Sequence, residues 1–241
     1  MQKLIRVGVF YDGGYFIHVD KYYHKRKSRI NFRGLHEFIL GKVSEMTGGN
    51  KEMCKIIDAC FFRGRFSLQE MKKKYPNDAD LLYKLRGERI FEEVLLGNDI
   101  RPYYLPIKDS HGQKREKGID SLLALETYEL CTMKHYDMVV IIAGDGDHVT
   151  LVNKLHAIGC KTMLLGWDFE YKNGLTGNMQ ATGTSFELYQ AVMFPLKMST
   201  VIDELLETDE MVKGIFKDET KDETRVVQVN MSDYADADED E

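Results

Sequence analysis

The sequence contains no long apolar run and few cysteines or prolines, and each shortage excludes a class of protein. Of the 241 residues, 4 are cysteine and 4 are proline. No apolar stretch approaches the roughly 20 residues that a membrane-spanning helix requires, so we expect no membrane partner. The cysteines lie scattered within apolar segments, at Cys54, Cys60, Cys131 and Cys160. This distribution favours buried, reduced thiols over a disulfide framework and, with no signal-peptide pattern at the N-terminus, predicts a cytoplasmic protein.

Several common catalytic motifs are also missing. The chain has no CxxC or HxxxH pair, no GxxxxGK[ST] phosphate loop, no GxGxxG after a strand and no GxSxG elbow. These absences argue against a structural zinc site, a nucleotide-driven motor and a serine hydrolase.

Acidic charge is concentrated at one end of the chain. Residues 200–241 hold 15 acidic and 4 basic side chains, a net charge of −11, whereas residues 1–199 carry a net charge of +5. The mildly basic body favours a polyanionic partner. The acidic end is either a solvated tail that aids solubility or a segment that folds back on the basic surface as a nucleic-acid mimic.

Strand-like segments alternate with helical ones along the body of the chain. Strands are predicted at residues 4–11, 55–62, 100–107, 137–143, 161–166 and 186–190. Helical periodicity covers residues 35–46, 67–97, 119–133 and 149–158. This alternation predicts a three-layer, Rossmann-like α/β fold whose mainly parallel central sheet is flanked by helices. We expect this domain to span residues 1–198 and a C-terminal helix with a flexible acidic tail to span residues 199–241.

Acidic residues follow two of the predicted strands and begin one helix. Asp12 follows the first strand, Asp145 and Asp147 follow strand 137–143, and Asp120 lies where helix 119–133 begins. The carboxyl ends of parallel strands lie at one edge of the sheet, so these carboxylates should converge there. Converging carboxylates repel one another unless a cation neutralises them, and Mg²⁺ and Mn²⁺ prefer oxygen ligands. The sequence therefore predicts a divalent metal site formed by Asp12, Asp120, Asp145 and Asp147.

Each acid also has a structural interpretation. Asp120 or Asp147 alone could cap a helix, and Asp12 could belong to an ordinary turn. Glu126 falls beside the apolar rows of helix 119–133, a poor place for an unpaired charge. It therefore either touches the metal site or pairs with a Lys or Arg.

Basic residues occur in groups near these acids. Residues 21–29, which include Lys25 and Arg26, mix positive charge with tyrosines, Arg63 follows the second strand, and Lys117 precedes Asp120. Lys and Arg neutralise phosphates while aromatic rings stack on bases, so residues 21–29 suit a single-stranded nucleic acid. A solvated helix face is the alternative interpretation of this group.

Taken in order, these motifs resemble the NYN domain, a PIN-like nuclease family that includes the LabA-like bacterial proteins. Three segments carry the resemblance: a strand ending in Asp-Gly (residues 7–16), Lys-Gly-Ile-Asp before an apolar helix (residues 117–126), and a strand ending in Gly-Asp-Gly-Asp (residues 140–149). The resemblance covers about residues 4–190. The chain departs from the family pattern at a few positions: Ala143 replaces a hydroxyl residue, His148 a Phe, Tyr15 an Asn and Glu126 an Asp.

The resemblance implies a PIN-like fold and metal-dependent cleavage of RNA. It implies that Asp12, Asp120, Asp145 and Asp147 are the catalytic residues and hold Mg²⁺ or Mn²⁺. Substrate contacts are expected from Lys117, Tyr15, Lys25, Arg26 and Arg63.

Two alternative functions remain. The first is a PIN-like module that binds RNA or regulates a protein partner without cleaving anything. The second is a haloacid-dehalogenase-type phosphatase, because residues 145–149 resemble the DxDx[VT] loop, although the 50 residues that follow lack the expected acidic pair. The sequence also leaves open a homo-oligomer or a protein partner.

Overall fold

A six-stranded, fully parallel sheet forms the centre of the computed structural model, which describes residues 3–24, 29–110, 113–115, 117–172 and 179–216. The strands, numbered along the chain, are β1 (Ile5–Asp12), β2 (Cys54–Arg65), β3 (Ile100–Pro106), β4 (Lys108–Ser110), β5 (Gln113–Arg115), β6 (Met138–Ile142), β7 (Lys161–Gly166), β8 (Phe169–Lys172), β9 (Met179–Thr182) and β10 (Phe194–Lys197). The order across the sheet is β10-β7-β6-β1-β2-β3, while β4 with β5 and β8 with β9 form antiparallel hairpins.

Helices cover both faces of this sheet. They are α1 (Gly13–His24), α2 (Phe32–Thr47), α3 (Leu68–Lys74), α4 (Asp78–Gly97), α5 (Ile119–Lys134), α6 (Val149–Ala157), α7 (Phe186–Ala191), α8 (Met198–Leu205) and α9 (Glu210–Lys213). One apolar core joins the sheet to α1, α2, α4, α8 and α9, and a second core on the opposite face joins it to α5, α6 and α7. The predicted three-layer α/β fold is therefore confirmed.

The strands are buried as their sequences predict. In β1, Val9 and Tyr11 belong to the first core and Phe10 to the second, because successive side chains of a strand point to opposite faces. Every residue of β6 is buried, as expected for a central parallel strand. The strand predicted from residues 100–107, which contains two prolines, is the edge strand β3.

Two local predictions fail. Residues 186–190 belong to helix α7 rather than to a strand, and the Ser185 hydroxyl caps this helix by accepting a hydrogen bond from the Leu188 N–H at 3.4 Å. Residues 13–24 form helix α1 directly after β1, where the sequence indicated a turn at Asp12 and a helix only as an alternative for residues 21–29.

The last described residues pack against the first half of the chain. Met198 and Ile202 of α8 are fully buried, and Ile30 forms an antiparallel bridge with Phe216. A Cβ on Gly34 would lie only 1.6 Å from the Gly214 carbonyl oxygen, so these two segments are in backbone contact. The predicted boundary at residues 198/199 stays a prediction, and residues 217–241 lie outside the described residues. No helix within the described ranges is long and apolar enough to span a membrane.

His36 makes the stability of the fold sensitive to acid. Its Nε2 lies 2.8 Å from the Tyr11 hydroxyl, and burial lowers the pKa of His36 to about 4, against the opposing effects of Glu37 and Asp99. Because the folded-state pKa lies below the unfolded value near ~6.5, this stability is present above about pH 6.5 and is lost as pH falls toward 4. We expect the free energy of unfolding to fall by roughly 1–2 kcal/mol between about pH 7 and pH 5 for this reason.

The measurement is urea unfolding at both pH values for the wild type and His36→Gln. We expect the variant to lose less stability on acidification than the wild type. His135→Asn, which removes an exposed histidine, is the matched control and should keep the wild-type pH dependence. An unchanged pH dependence in His36→Gln would contradict the assignment.

Candidate functional site

The end of β1 holds Asp12 in a fixed position. Its Oδ1 accepts a hydrogen bond from the Tyr15 N–H at 3.2 Å, which ties the carboxylate to the first turn of α1. A Cβ on Gly13 would lie 2.5 Å from the Phe62 carbonyl oxygen, so only glycine allows α1 to start this close to β2. The carboxylate therefore lies at a helix N-terminus, where the helix dipole stabilises negative charge.

Asp120 reaches the same edge of the sheet from helix α5. It lies exposed in the first turn of that helix. The N-cap of the helix is Gly118, at a φ of 89°, so Asp120 is not the N-cap. Its side chain therefore has no capping role that competes with a role in the site.

Asp145 and Asp147 follow β6 in a short 3₁₀ helix, Gly146–His148. The Asp145 Oδ1 accepts a hydrogen bond from the Asp147 N–H at 2.9 Å, so Asp145 caps this turn. Both carboxylates are exposed. The structural interpretation as a cap thus applies to Asp145, in place of the Asp147 cap that the sequence suggested.

His148 joins Asp12 and Asp120 in one cluster. A ring nitrogen of His148 and carboxylate oxygens of the two aspartates all lie within 4.8 Å of one another. His148 is 2% exposed, and its Nε2 has no hydrogen-bond partner among the residues that the structure describes. Burial lowers the pKa of His148, while the nearby Asp120, Asp145 and Asp147 act in the opposite direction.

This cluster fits a divalent cation. Two carboxylates and an imidazole are common ligands of such ions, and a cation would offset the repulsion between Asp12 and Asp120. The buried Nε2 without a partner is the kind of polar atom that a bound ion would satisfy. Asp145 and Asp147 are not members of the 4.8 Å cluster in the described part of the chain, although both influence the pKa of His148.

The sequence interpretation did not select His148 as a site residue. The available signal was its position directly after Asp147, at the end of a buried strand, where the resembled family usually has Phe. Its burial depends on α5 and α7, which pack against the 3₁₀ helix, and these contacts are not visible in the local sequence.

The predicted substrate-binding residues lie at different places. Lys117 is exposed two residues before α5. Arg63 lies within β2, which extends beyond its predicted end, and is half-buried, with its Cβ 3.0 Å from the position that a Gly13 Cβ would take. The Tyr15 hydroxyl accepts a hydrogen bond from the Trp167 N–H at 2.6 Å and lies 3.0 Å from the Thr184 hydroxyl. Lys25 and Arg26 lie outside the described residues.

Glu126 is half-buried on α5. Burial raises the pKa of Tyr103 and of the Cys60 thiol, and the charge of Glu126 adds to both shifts. Among the described residues it does not belong to the group formed by Asp12, Asp120 and His148.

The chain belongs to the NYN domain family, whose family model matches residues 6–176. NYN domains are generally nucleases and typically depend on a divalent metal. The match includes both strand ends that carry the acids and the N-terminus of α5. The family predicted from the three sequence motifs is therefore confirmed.

Other comparisons give only distant similarities. No curated protein matches the chain. Among solved structures, it resembles a protein of unknown function from Vibrio parahaemolyticus, with a TM-score of 0.48, 15% identity, and coverage of 82% of this chain and 96% of that chain. It also resembles a candidate UDP-N-acetylglucosamine 2-epimerase from Listeria monocytogenes, with a TM-score of 0.36, 12% identity, and coverage of 86% and 43%. Neither similarity bears on the activity of this chain.

The contacts of Tyr15 predict a structural effect of Tyr15→Phe. Removing the hydroxyl leaves the Trp167 N–H without its acceptor, so we expect the free energy of unfolding to fall by about 1–2 kcal/mol. Urea unfolding measures this loss, and Tyr128→Phe, at an exposed position of α5, should leave stability unchanged. Unchanged stability with weaker RNA binding would instead make the hydroxyl a substrate contact.

Proposed function

We propose that this protein is a metal-dependent ribonuclease that hydrolyses RNA phosphodiester bonds at the carboxyl edge of its parallel sheet. The observation that carries the proposal is the approach of Asp12, Asp120 and His148 to within 4.8 Å in a chain of the NYN family. The carboxylates of Asp12 and Asp120 repel each other at this separation unless a cation lies between them. A divalent cation in that place could activate water for attack on a phosphodiester.

The four aspartates have two roles in this proposal. Asp12 and Asp120 bind Mg²⁺ or Mn²⁺, with Asp145 and Asp147 completing the acidic edge. When bound, the ion activates a water and stabilises the charge that develops on the phosphate. Asp145 and Asp147, exposed beside the cluster, orient the attacking water and accept its proton.

Basic residues around the acids bind the RNA backbone. Lys117 lies two residues before α5, which carries Asp120, and Arg63 lies near the end of β2, beside the Asp12-Gly13 junction. Their positive charge offsets phosphate charge that the acids would otherwise repel. Lys25, Arg26 and the half-buried Tyr15 extend this surface in the proposal, and the substrate is single-stranded or structured RNA.

The proposal places the protein in the cytoplasm, where buried free thiols remain reduced. Cys54, Cys60, Cys131 and Cys160 are all buried and unpaired as disulfides. We also propose that the NYN unit extends to residue 198, since β10 completes the sheet at Lys197. A homo-oligomer or a protein partner is compatible with the exposed helices.

The test is cleavage of an end-labelled single-stranded RNA with Mn²⁺, with Mg²⁺ and with EDTA. We expect metal-dependent cutting that falls roughly 100-fold or more in Asp120→Asn, because one carboxylate ligand is lost. RNA binding should persist or tighten in this variant, because a negative charge near the phosphates is removed. Asp145→Asn is expected to reduce cutting as well, through the loss of water orientation.

The matched control is Glu129→Gln. It removes one negative charge from an exposed position of the same helix, about 13 Å further along its axis. Cutting that persists in EDTA, or that survives unchanged in Asp120→Asn, would contradict the proposal. Equal RNA binding without cleavage in all variants would instead identify a non-catalytic RNA-binding module.

A further inference from the structure

His148 has a buried ring nitrogen, Nε2, that lacks a hydrogen-bond partner among the described residues. We propose that its Nε2 ligates the divalent ion directly, beside Asp12 and Asp120, and that this nitrogen makes the site select a transition-metal ion such as Mn²⁺ over Mg²⁺. The inference rests on the proposed function for the presence of an ion, and it adds the identity of a ligand and the class of metal.

The first support is the missing hydrogen bond of the ring. Nε2 is buried and without a partner in the described part of the chain. A buried polar atom without a partner is unfavourable and is rare in folded proteins, so such an atom calls for a ligand, an ion or a water. Water alone would satisfy the nitrogen but would leave the repulsion between the two carboxylates in place.

The second support is the position of the ring. The 3₁₀ helix turns His148 inward, while Asp145 and Asp147 on the same turn remain exposed. The His148 ring nitrogen lies within 4.8 Å of carboxylate oxygens from two other elements, the end of β1 and the start of α5. Ligands around a small divalent ion lie roughly 3–4 Å apart, so the cluster needs only a small adjustment, which the exposed Asp120 side chain can make.

The third support concerns the chemistry of the donor set. Mg²⁺ binds oxygen almost exclusively and keeps several waters, whereas imidazole is a good ligand for first-row transition metals. Mn²⁺ accepts both carboxylate and imidazole. Two carboxylates with one imidazole nitrogen therefore favour Mn²⁺ over Mg²⁺ more strongly than an all-carboxylate site would.

The experiment uses the spin of Mn²⁺ to detect nitrogen directly. Pulsed EPR of the Mn²⁺-loaded full chain records the modulation of the electron spin echo by a ligated nitrogen nucleus. We expect ¹⁴N modulation in the unlabelled protein and its replacement by ¹⁵N modulation after uniform ¹⁵N labelling. An echo that is identical in the two samples would overturn the proposal without the use of any variant.

Variants then assign the nitrogen. His148→Phe retains an aromatic ring without a donor, and His148→Gln is a second variant in case the first disturbs folding, which urea unfolding reports. We expect both to lose the ¹⁴N modulation and to bind Mn²⁺ about tenfold or more weakly, while Mg²⁺ affinity, measured by competition, changes much less. Modulation that survives in a folded His148 variant would overturn the assignment.

The control is His135→Asn, which removes an exposed histidine at the far end of α5 and should keep the wild-type echo.

The outcomes also separate this inference from the proposed function. Nitrogen-ligated Mn²⁺ in a protein that cuts no RNA would support the ligand and contradict the nuclease. Metal-dependent cutting without nitrogen modulation would support the nuclease and contradict the ligand.

Discussion

The parallel pairing of β1 with β2 on one side and β6 on the other is the constraint on which the site depends. Asp12 is paired with Phe62, the residue before Arg63, and Tyr11 is paired with Ile142, the last residue of β6 before the turn that carries Asp145. Because side chains alternate along a strand, a slip of one residue would carry the apolar residues of β1 to the wrong faces. The register that buries the core is thus the register that aligns the acids.

The sheet could be predicted because its signals are local. Strand β6 is buried on both faces, and its sequence is a continuous apolar run for that reason. Strand β3 has a neighbouring strand on one side only, and its sequence can therefore contain two prolines. Helix α1 could not be predicted with the same ease, because it starts with two glycines, which are poor helix formers. Residues 186–190 are too few for periodicity to separate a strand from a helix, and the hydrogen bond from the Leu188 N–H to the Ser185 hydroxyl stabilises the helix.

The candidate site, like the fold, could be predicted from the sequence only in part. Aspartates that follow buried strands are visible in the sequence, and the edge at which they meet follows from the parallel topology. The burial of His148 was not visible, because it arises where α5 and α7 pack over one turn of chain. The buried His148 ring fills space between these helices and also lies close to the charges of Asp120, Asp145 and Asp147. A substitution of His148 therefore changes both the packing around the 3₁₀ helix and the electrostatic surroundings of the aspartates.

The bridge between Ile30 and Phe216 joins two segments that lie far apart in the sequence. The neighbouring Asn31 N–H donates a hydrogen bond to the Ile215 carbonyl oxygen at 2.7 Å, so the pairing is made by the main chain and does not depend on particular side chains. Closing so long a loop costs conformational entropy, which the burial of Val212 and Ile215 helps to offset. Removal of α9 would therefore expose apolar surface on α2 as well as its own, so this short helix is an integral part of the folded unit.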